Sequence, residues 1–423
     1  MMKVLIVNTS ERTGGAAVAA NRLKDALNNN GIEANMLVRD KLSDDTTVFT
    51  IKNGWRTQWN KLWERWCIFW HLHFSKRNLF AIDIANAGTD ITQLQAFKDA
   101  DVVHLAWINQ GMLSLKGIEK ILKTGKPLVW TMHDIWPATA VCHITLDCRQ
   151  FETQCKDCRL LPSGIRKSLA QRTWKRKEAI EGRSHIIYIT CSKWLQGEAK
   201  RSALIGQNLI ECIPNPIDTS VFCKADKAEA RRKLGLPADK HLILFASQRV
   251  TNQNKGMGYL VDACRKMVEQ HPETLANTAV VVLGGHAEDL RENFDLPMFP
   301  LGYVSDTQQI VDVYNAIDVF VLPSLSDNLP NTIMEAMACG VPCVGFEVGG
   351  IPEMIDHEHN GYVVRMKDSA DLAYGINWVL NVADYEKLSA NAVEKVKQCY
   401  SQTRVATQYI EIYKRALAYS KNK

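Results

Sequence analysis

Residues 326–353 read SDNLPNTIMEAMACGVPCVGFEVGGIPE, and the order of residue types in this stretch decides the fold. Just before it, Val319 to Leu322 close an apolar run with the length and composition of a buried strand, and Pro323 to Leu329 form a turn-rich loop at its carboxyl end. A helix is expected next, with Pro330 at its first position, where no amide hydrogen is needed, and Gly340 just past its end. Ligands of open α/β sheets bind beyond the strand ends, at helix N-termini. The amides of Asn331 and Thr332 at the helix start, with the positive end of the helix dipole, suit a phosphate. Asp327 and Glu335 lie eight positions apart, one in the loop and one in the helix, so as a pair they suit hydroxyls on two parts of one ligand. The plainer alternative is two solvated charges. The diglycine Gly349-Gly350 follows.

The same alternation extends outward. Lys3 to Asn8 is expected as a buried parallel strand, followed by Gly14-Gly15 and an apolar-periodic helix from Ala16 to Leu27. Further strands are expected at Asp101 to Leu105, Pro127 to Met132 and His185 to Thr190, alternating with helical patterns as a covered parallel sheet requires. The pattern restarts with His241 to Ser247, Thr278 to Leu283, Phe299 to Val304, Asp318 to Leu322 and Val341 to Phe346. Between the two sets, IPNPIDTSVF (213–222) carries two prolines that favour a connector, and the hinge is expected near Pro214. The fold class is α/β, with two Rossmann-like parallel-sheet domains over 1–212 and 213–400 and a helical segment over 401–423.

A chain of 423 residues is comfortable for two cores. Its hydrophobic share of 46% is ordinary, and a net charge of +5 argues against a dedicated nucleic-acid binder while permitting attraction to anionic donors or lipids. The apolar run after Met1 is too short for a signal-peptide core, and no segment approaches the ~20 apolar residues of a membrane span, so a cytosolic location is expected. Twelve cysteines without a secretory signal read as mostly reduced thiols.

SQRVTNQNKGMGYL (247–260) puts Arg249 and Lys255 in the loop after the first strand of the second set, with Gly256 opening the next helix. Two cations there suit a diphosphate, arginine through its planar fork and lysine as a compact point charge; solvated loop cations are the alternative. Arg followed by Lys-Gly, and two acids bracketing seven residues before Ala-Met-Ala-Cys-Gly-x-Pro, resemble the family-4-type retaining glycosyltransferases. The first acid is usually Glu in that family and is Asp327 here, one methylene shorter.

The resemblance runs over nearly the full length and implies the glycosyltransferase B-type (GT-B) fold, with two domains facing across a cleft and the last helix, about Ser401 to Ala418, packed back on the first. It implies a nucleoside-diphosphate sugar donor held at its leaving group by Arg249 and Lys255. The base would meet the backbone of Leu301 to Asp306, with Tyr303 and Val304. Gly14 and Gly15 would let the chain approach the donor diphosphate, and His133-Asp134 in WTMHDIWP would face donor sugar and acceptor. His104 is either a structural residue or part of the acceptor side; related sequences often carry a second histidine where this chain has Ala106.

In the implied reaction, charge builds on the departing diphosphate and on an oxocarbenium-like sugar. Arg249, Lys255 and the Asn331-Thr332 amides stabilise the first without a metal. His133, Asp327, Glu335, Arg249 and Lys255 form the expected catalytic set, with none assigned as a base. No cofactor is required. The resemblance further implies a hexosyltransferase acting on a glycan or polyprenyl-linked acceptor in exopolysaccharide or capsule synthesis. A sugar-nucleotide epimerase of similar fold and a non-catalytic nucleotide-sugar or interaction protein remain as alternatives.

Two features lie outside these motifs. Cys142, Cys148, Cys155 and Cys158, with His143 beside the first, have spacing compatible with a structural zinc, with reduced thiols or with a redox disulfide. Trp55, Trp59, Trp63, Trp66 and Trp70 recur at steps of four, four, three and four, one helical stripe with Lys61 and Arg65 on the far side. That stripe either packs on the first domain or meets the inner membrane surface as a peripheral contact.

Overall fold

A computed structural model describes residues 1–51, 54–162, 166–182 and 185–421. The chain forms two compact units, Met1–Pro216 with Val405–Lys423, and Ile217–Arg404. Of the helical segment expected over 401–423, residues 422 and 423 lie outside the described residues.

In the first unit the strands are β1 (Lys3–Ser10), β2 (Glu33–Asp40), β3 (Val48–Thr50), β4 (Val102–Leu105), β5 (Leu128–Met132), β6 (Ile187–Thr190) and β7 (Ile210–Cys212). They form one parallel sheet in the order β3-β2-β1-β4-β5-β6-β7. Side chains alternate across a strand, so Leu5 and Val7 enter one core while Val4 and Ile6 enter the opposite one. The helix Gln402–Lys421 covers the second core with Val405, Tyr409 and Tyr413. Both faces being covered explains why these strands read as continuous apolar runs.

The second unit has β8 (His241–Arg249), β9 (Thr278–Gly285), β10 (Met298–Gly302), β11 (Val319–Leu322), β12 (Cys343–Phe346) and β13 (Gly361–Val364), in the order β10-β9-β8-β11-β12-β13. Strand order reverses between β1 and β4 in one sheet and between β8 and β11 in the other. At such switch points the loops leave in opposite directions and open a crevice for ligand. Four strands were not anticipated: β2, β3, β7 and β13. Among the described residues, no helix is long and apolar enough to cross a membrane.

Candidate functional site

The switch point of the second unit gathers most of the charged motif residues. β8 ends at Arg249, which is exposed, and a single turn over Gln253–Lys255 follows. Gly256 stands at φ 76°, and a Cβ there would lie 1.8 Å from the Pro323 carbonyl oxygen, so only glycine lets the loops after β8 and β11 touch. Leu325 donates its amide to the Asn254 carbonyl at 2.8 Å across the same seam. Lys255 Nζ then reaches Asp327 Oδ2 at 2.6 Å, and Ser324 Oγ donates to the same oxygen at 3.3 Å. The loop after β12 closes the arrangement: Gly349, at φ 58°, has its Cβ position 1.7 Å from the Asp327 carbonyl oxygen, and Gly350 donates its amide to that oxygen at 3.4 Å. Three strand-end loops thus converge on Asp327.

The next helix is Asn331–Ala338. Pro330 is the extended residue before it rather than its first helical residue, a shift of one position that leaves the amides of Asn331 and Thr332 at the helix start. One turn on, Glu335 is 8% exposed and accepts the Tyr314 hydroxyl at 2.9 Å. Tyr314 comes from the helix Thr307–Ala316 and packs edge-on against Phe320. Sequence reading missed Tyr314, whose position looks like any apolar site on that helix. Tyr303, exposed, and Val304, half-buried, follow β10 on the far flank of the sheet, two strands from β8.

In the first unit, Gly14 caps the helix Gly15–Asn28 at φ 91° with open space around its Cβ position, so backbone conformation rather than packing asks for glycine. His133 and Asp134 follow β5. His133 Nδ1 lies 3.6 Å from Cys191 Sγ, and burial pushes its pKa down to about 4 against the pull of Asp134. Asp134 Oδ2 accepts from the Trp107 indole at 3.0 Å and meets His143 Nδ1 at 2.7 Å, while Oδ1 accepts the Trp136 amide at 2.8 Å. Burial would raise this carboxyl, but the His143 charge and these bonds hold it below the usual range.

His143 therefore has a different place from the one its neighbour Cys142 suggests. Its Nε2 meets Asp83 Oδ2 at 2.5 Å, and Asp83 pairs with Arg65, so a polar chain runs Arg65, Asp83, His143, Asp134. Neither ring nitrogen is left for a metal. His104 is fully buried and structural: Nδ1 meets the Tyr413 hydroxyl at 2.7 Å and Nε2 the Thr131 hydroxyl at 2.8 Å. The four loop cysteines are unbridged. Among the described residues no group of three or more His, Cys, Asp or Glu side chains stands, as placed, close enough to hold a metal ion. Burial raises Cys142 to about 12 and Cys155 to about 11, which favours protonated thiols.

Residues 13–221 match the family described as Glycosyltransferase Family 4, and residues 240–382 match that described as Glycosyl transferases group 1. An uncharacterised glycosyltransferase of Methanocaldococcus jannaschii is 32% identical over 237 residues, 54% of this chain and 60% of that protein. The D-inositol 3-phosphate glycosyltransferase of Saccharomonospora viridis is 29% identical over 214 residues, 48% of this chain and 49% of that one. The chain thus spans about half to three-fifths of the length of these relatives. In fold it is similar to the sucrose-phosphate synthase of Thermosynechococcus elongatus, with TM-score 0.65 and 17% identity over 99% of this chain and 100% of that one. Anabaena HepE, solved with UDP, gives TM-score 0.65 and 18% identity over 98% and 100%. With the two family matches following one another along two parallel-sheet units, the chain belongs to the glycosyltransferases of GT-B fold.

Proposed function

We propose that this protein is a retaining hexosyltransferase that moves a sugar from a nucleoside-diphosphate donor to a glycan or polyprenyl-linked acceptor in cell-surface polysaccharide synthesis, without a metal in the chemistry. The observation that carries the reading is the Lys255–Asp327 pair at the switch point of the second sheet, beside the start of the helix Asn331–Ala338. A cation and a carboxylate side by side suit the two halves of one ligand, diphosphate and sugar hydroxyls. Lys255 would exchange its carboxylate partner for phosphate oxygens, and Asp327 would turn to accept from the sugar. Arg249 and the helix-start amides would add donors where the leaving charge develops. Glu335, fixed by Tyr314, would accept from a further hydroxyl of the donor. Tyr303, Val304, Gly349 and Gly350 are assigned to the donor by their motifs. In the first unit, His133 is assigned to the reacting sugar and Gly14-Gly15 to the donor diphosphate on the same ground. A neutral His133 would offer hydrogen bonds without opposing the positive charge of the sugar.

Support for the donor class comes from the likeness to HepE, solved with UDP and also with UDP and glucose, and support for sugar transfer from relatives named as D-inositol 3-phosphate glycosyltransferases. Calorimetric titration with a panel of nucleoside diphosphates tests the reading. One diphosphate should bind well above the rest and above its monophosphate, and absence of binding by every member would overturn it.

A further inference from the structure

The helix Gly54–His71 faces the wrong way for an ordinary core helix. Its inward side is Thr57, Glu64, Arg65, Ile68 and, just beyond, Leu72, all buried. Glu64 Oε1 accepts the amides of Ile84 and Ala85, and Arg65 donates to the carbonyls of Leu79 and Ile82 and pairs with Asp83. Gly111, at φ 79°, lets the chain pass so close that a Cβ would lie 2.5 Å from the Lys61 nitrogen. The helix is therefore clamped to the first unit through polar groups. Its outward side carries Trp55, Trp59, Trp63, Trp66 and Trp70, each between 46% and 78% exposed, with Leu62 among them at 61%. From Trp55 to Trp70 the stripe runs about 22 Å. Phe74 extends it, held in the left-handed region at φ 61° and packed edge-on against Trp66, Phe69 and Trp70.

An aromatic surface of this extent on one face is not ordinary surface scatter. We infer that it docks the protein on an anionic lipid bilayer. Charge complementarity selects that occupant. Residues 54–80 hold the exposed cations Arg56, Lys76 and Arg77 and the half-buried Lys61, while their single acid, Glu64, is buried together with Arg65. Arg56, Lys76 and Arg77 are exposed beside the rings. Tryptophan rings settle at the headgroup level, and cations beside them meet anionic headgroups. A second copy of the chain would bring the same cations against each other about a two-fold axis, which disfavours self-association. The surface stands on the first unit alone and holds whichever sugar or acceptor is used.

The test is co-sedimentation of the full chain with vesicles of phosphatidylglycerol mixed into phosphatidylcholine, and with phosphatidylcholine alone. The parent should bind the anionic vesicles at least tenfold better, with a blue shift of tryptophan emission. Trp59→Ser with Trp63→Ser should keep the parent melting temperature and lose at least tenfold in partitioning. Trp55→Ser, at the most exposed ring, should lose part of it, and Arg56→Gln with Lys76→Gln should remove most of the preference for anionic lipid. A parent that ignores anionic vesicles, a folded double variant that binds as the parent does, or equal binding to both lipids overturns the inference. A parent that is dimeric in solution and becomes monomeric in the double variant, with no lipid binding, assigns the face to a second copy instead.

Discussion

Lys255 and Asp327, 72 positions apart, meet at 2.6 Å across two loops that Gly256 allows to touch, while Gly349 lets a third loop close on Asp327. The pair is partly sheltered, with the lysine side chain 29% and the aspartate 15% exposed. An ion pair in such a setting adds little to stability by itself, and its position at the strand-order reversal is better explained by a ligand that uses both charges.

Lys255→Ala should weaken nucleoside-diphosphate binding by about 1.5–3 kcal/mol, the value of one charge-assisted hydrogen bond. Calorimetry on the folded variant reads this directly, and unchanged affinity removes Lys255 from the diphosphate site.

Glu335→Gln should lower transfer roughly tenfold or more, since a charged acceptor becomes a neutral one at a buried contact with the donor. Its melting temperature should stay close to the parent's, because the amide oxygen still accepts from Tyr314. Tyr314→Phe should show a smaller loss in the same assay, as it only frees the carboxylate to turn. A Glu335→Gln protein of full activity would remove the residue from the site.

Removing the His143 ring should destabilise the first unit, because Asp83 and Asp134 would each lose a hydrogen-bonded partner. His143→Ala is expected to cost about 1–3 kcal/mol in urea unfolding. A midpoint and slope equal to the parent's would contradict a structural role for the Arg65 to Asp134 chain.

Acid should destabilise the protein well before its carboxylates titrate. Burial pushes His104 down to about 3 and His133 down to about 4, from an ordinary 6.5. Their folded values are depressed, so the unfolded chain binds protons first as pH falls. The stability they contribute is complete above about 6.5 and is lost progressively toward 4 and 3. Melting temperature measured from about pH 7 to pH 4 should fall, and His104→Asn should flatten that fall while lowering the melting temperature at neutral pH. An unchanged pH slope in that variant would show that His104 is not the group responsible.

The buried strands were legible because both sheet faces are covered, which makes Lys3 to Asn8 or Thr278 to Leu283 read as unbroken apolar runs. β2 was not, since Glu33, Asn35, Arg39 and Asp40 interrupt its pattern, and β3 and β7 are only three residues long. The loop residues Lys255, Asp327 and Gly349 were legible from local turn chemistry. Their convergence was not, because it depends on strand order. The tryptophan stripe shows the limit most plainly: periodicity finds the apolar face, but which face is buried depends on Glu64 and Arg65 finding partners at 79–85. His143 misled for a related reason, having Cys142 beside it in sequence and Asp83 beside it in space.

If Arg249, Lys255 and the helix start carry the leaving charge, turnover should persist in EDTA. Activity abolished by the chelator and restored by magnesium or manganese, with the fold unchanged, would assign that charge to a metal ion instead.

The most direct test is incubation of the full chain with a panel of radiolabelled nucleotide sugars, followed by separation of nucleotide, free sugar and glycan. The expected result is release of nucleoside diphosphate from one donor, with label appearing on acceptor or, slowly, on water, and loss of this release in Lys255→Ala. Label that stays on the nucleotide as a different sugar, or no conversion of any donor by a folded protein, would contradict sugar transfer at the Lys255–Asp327 site.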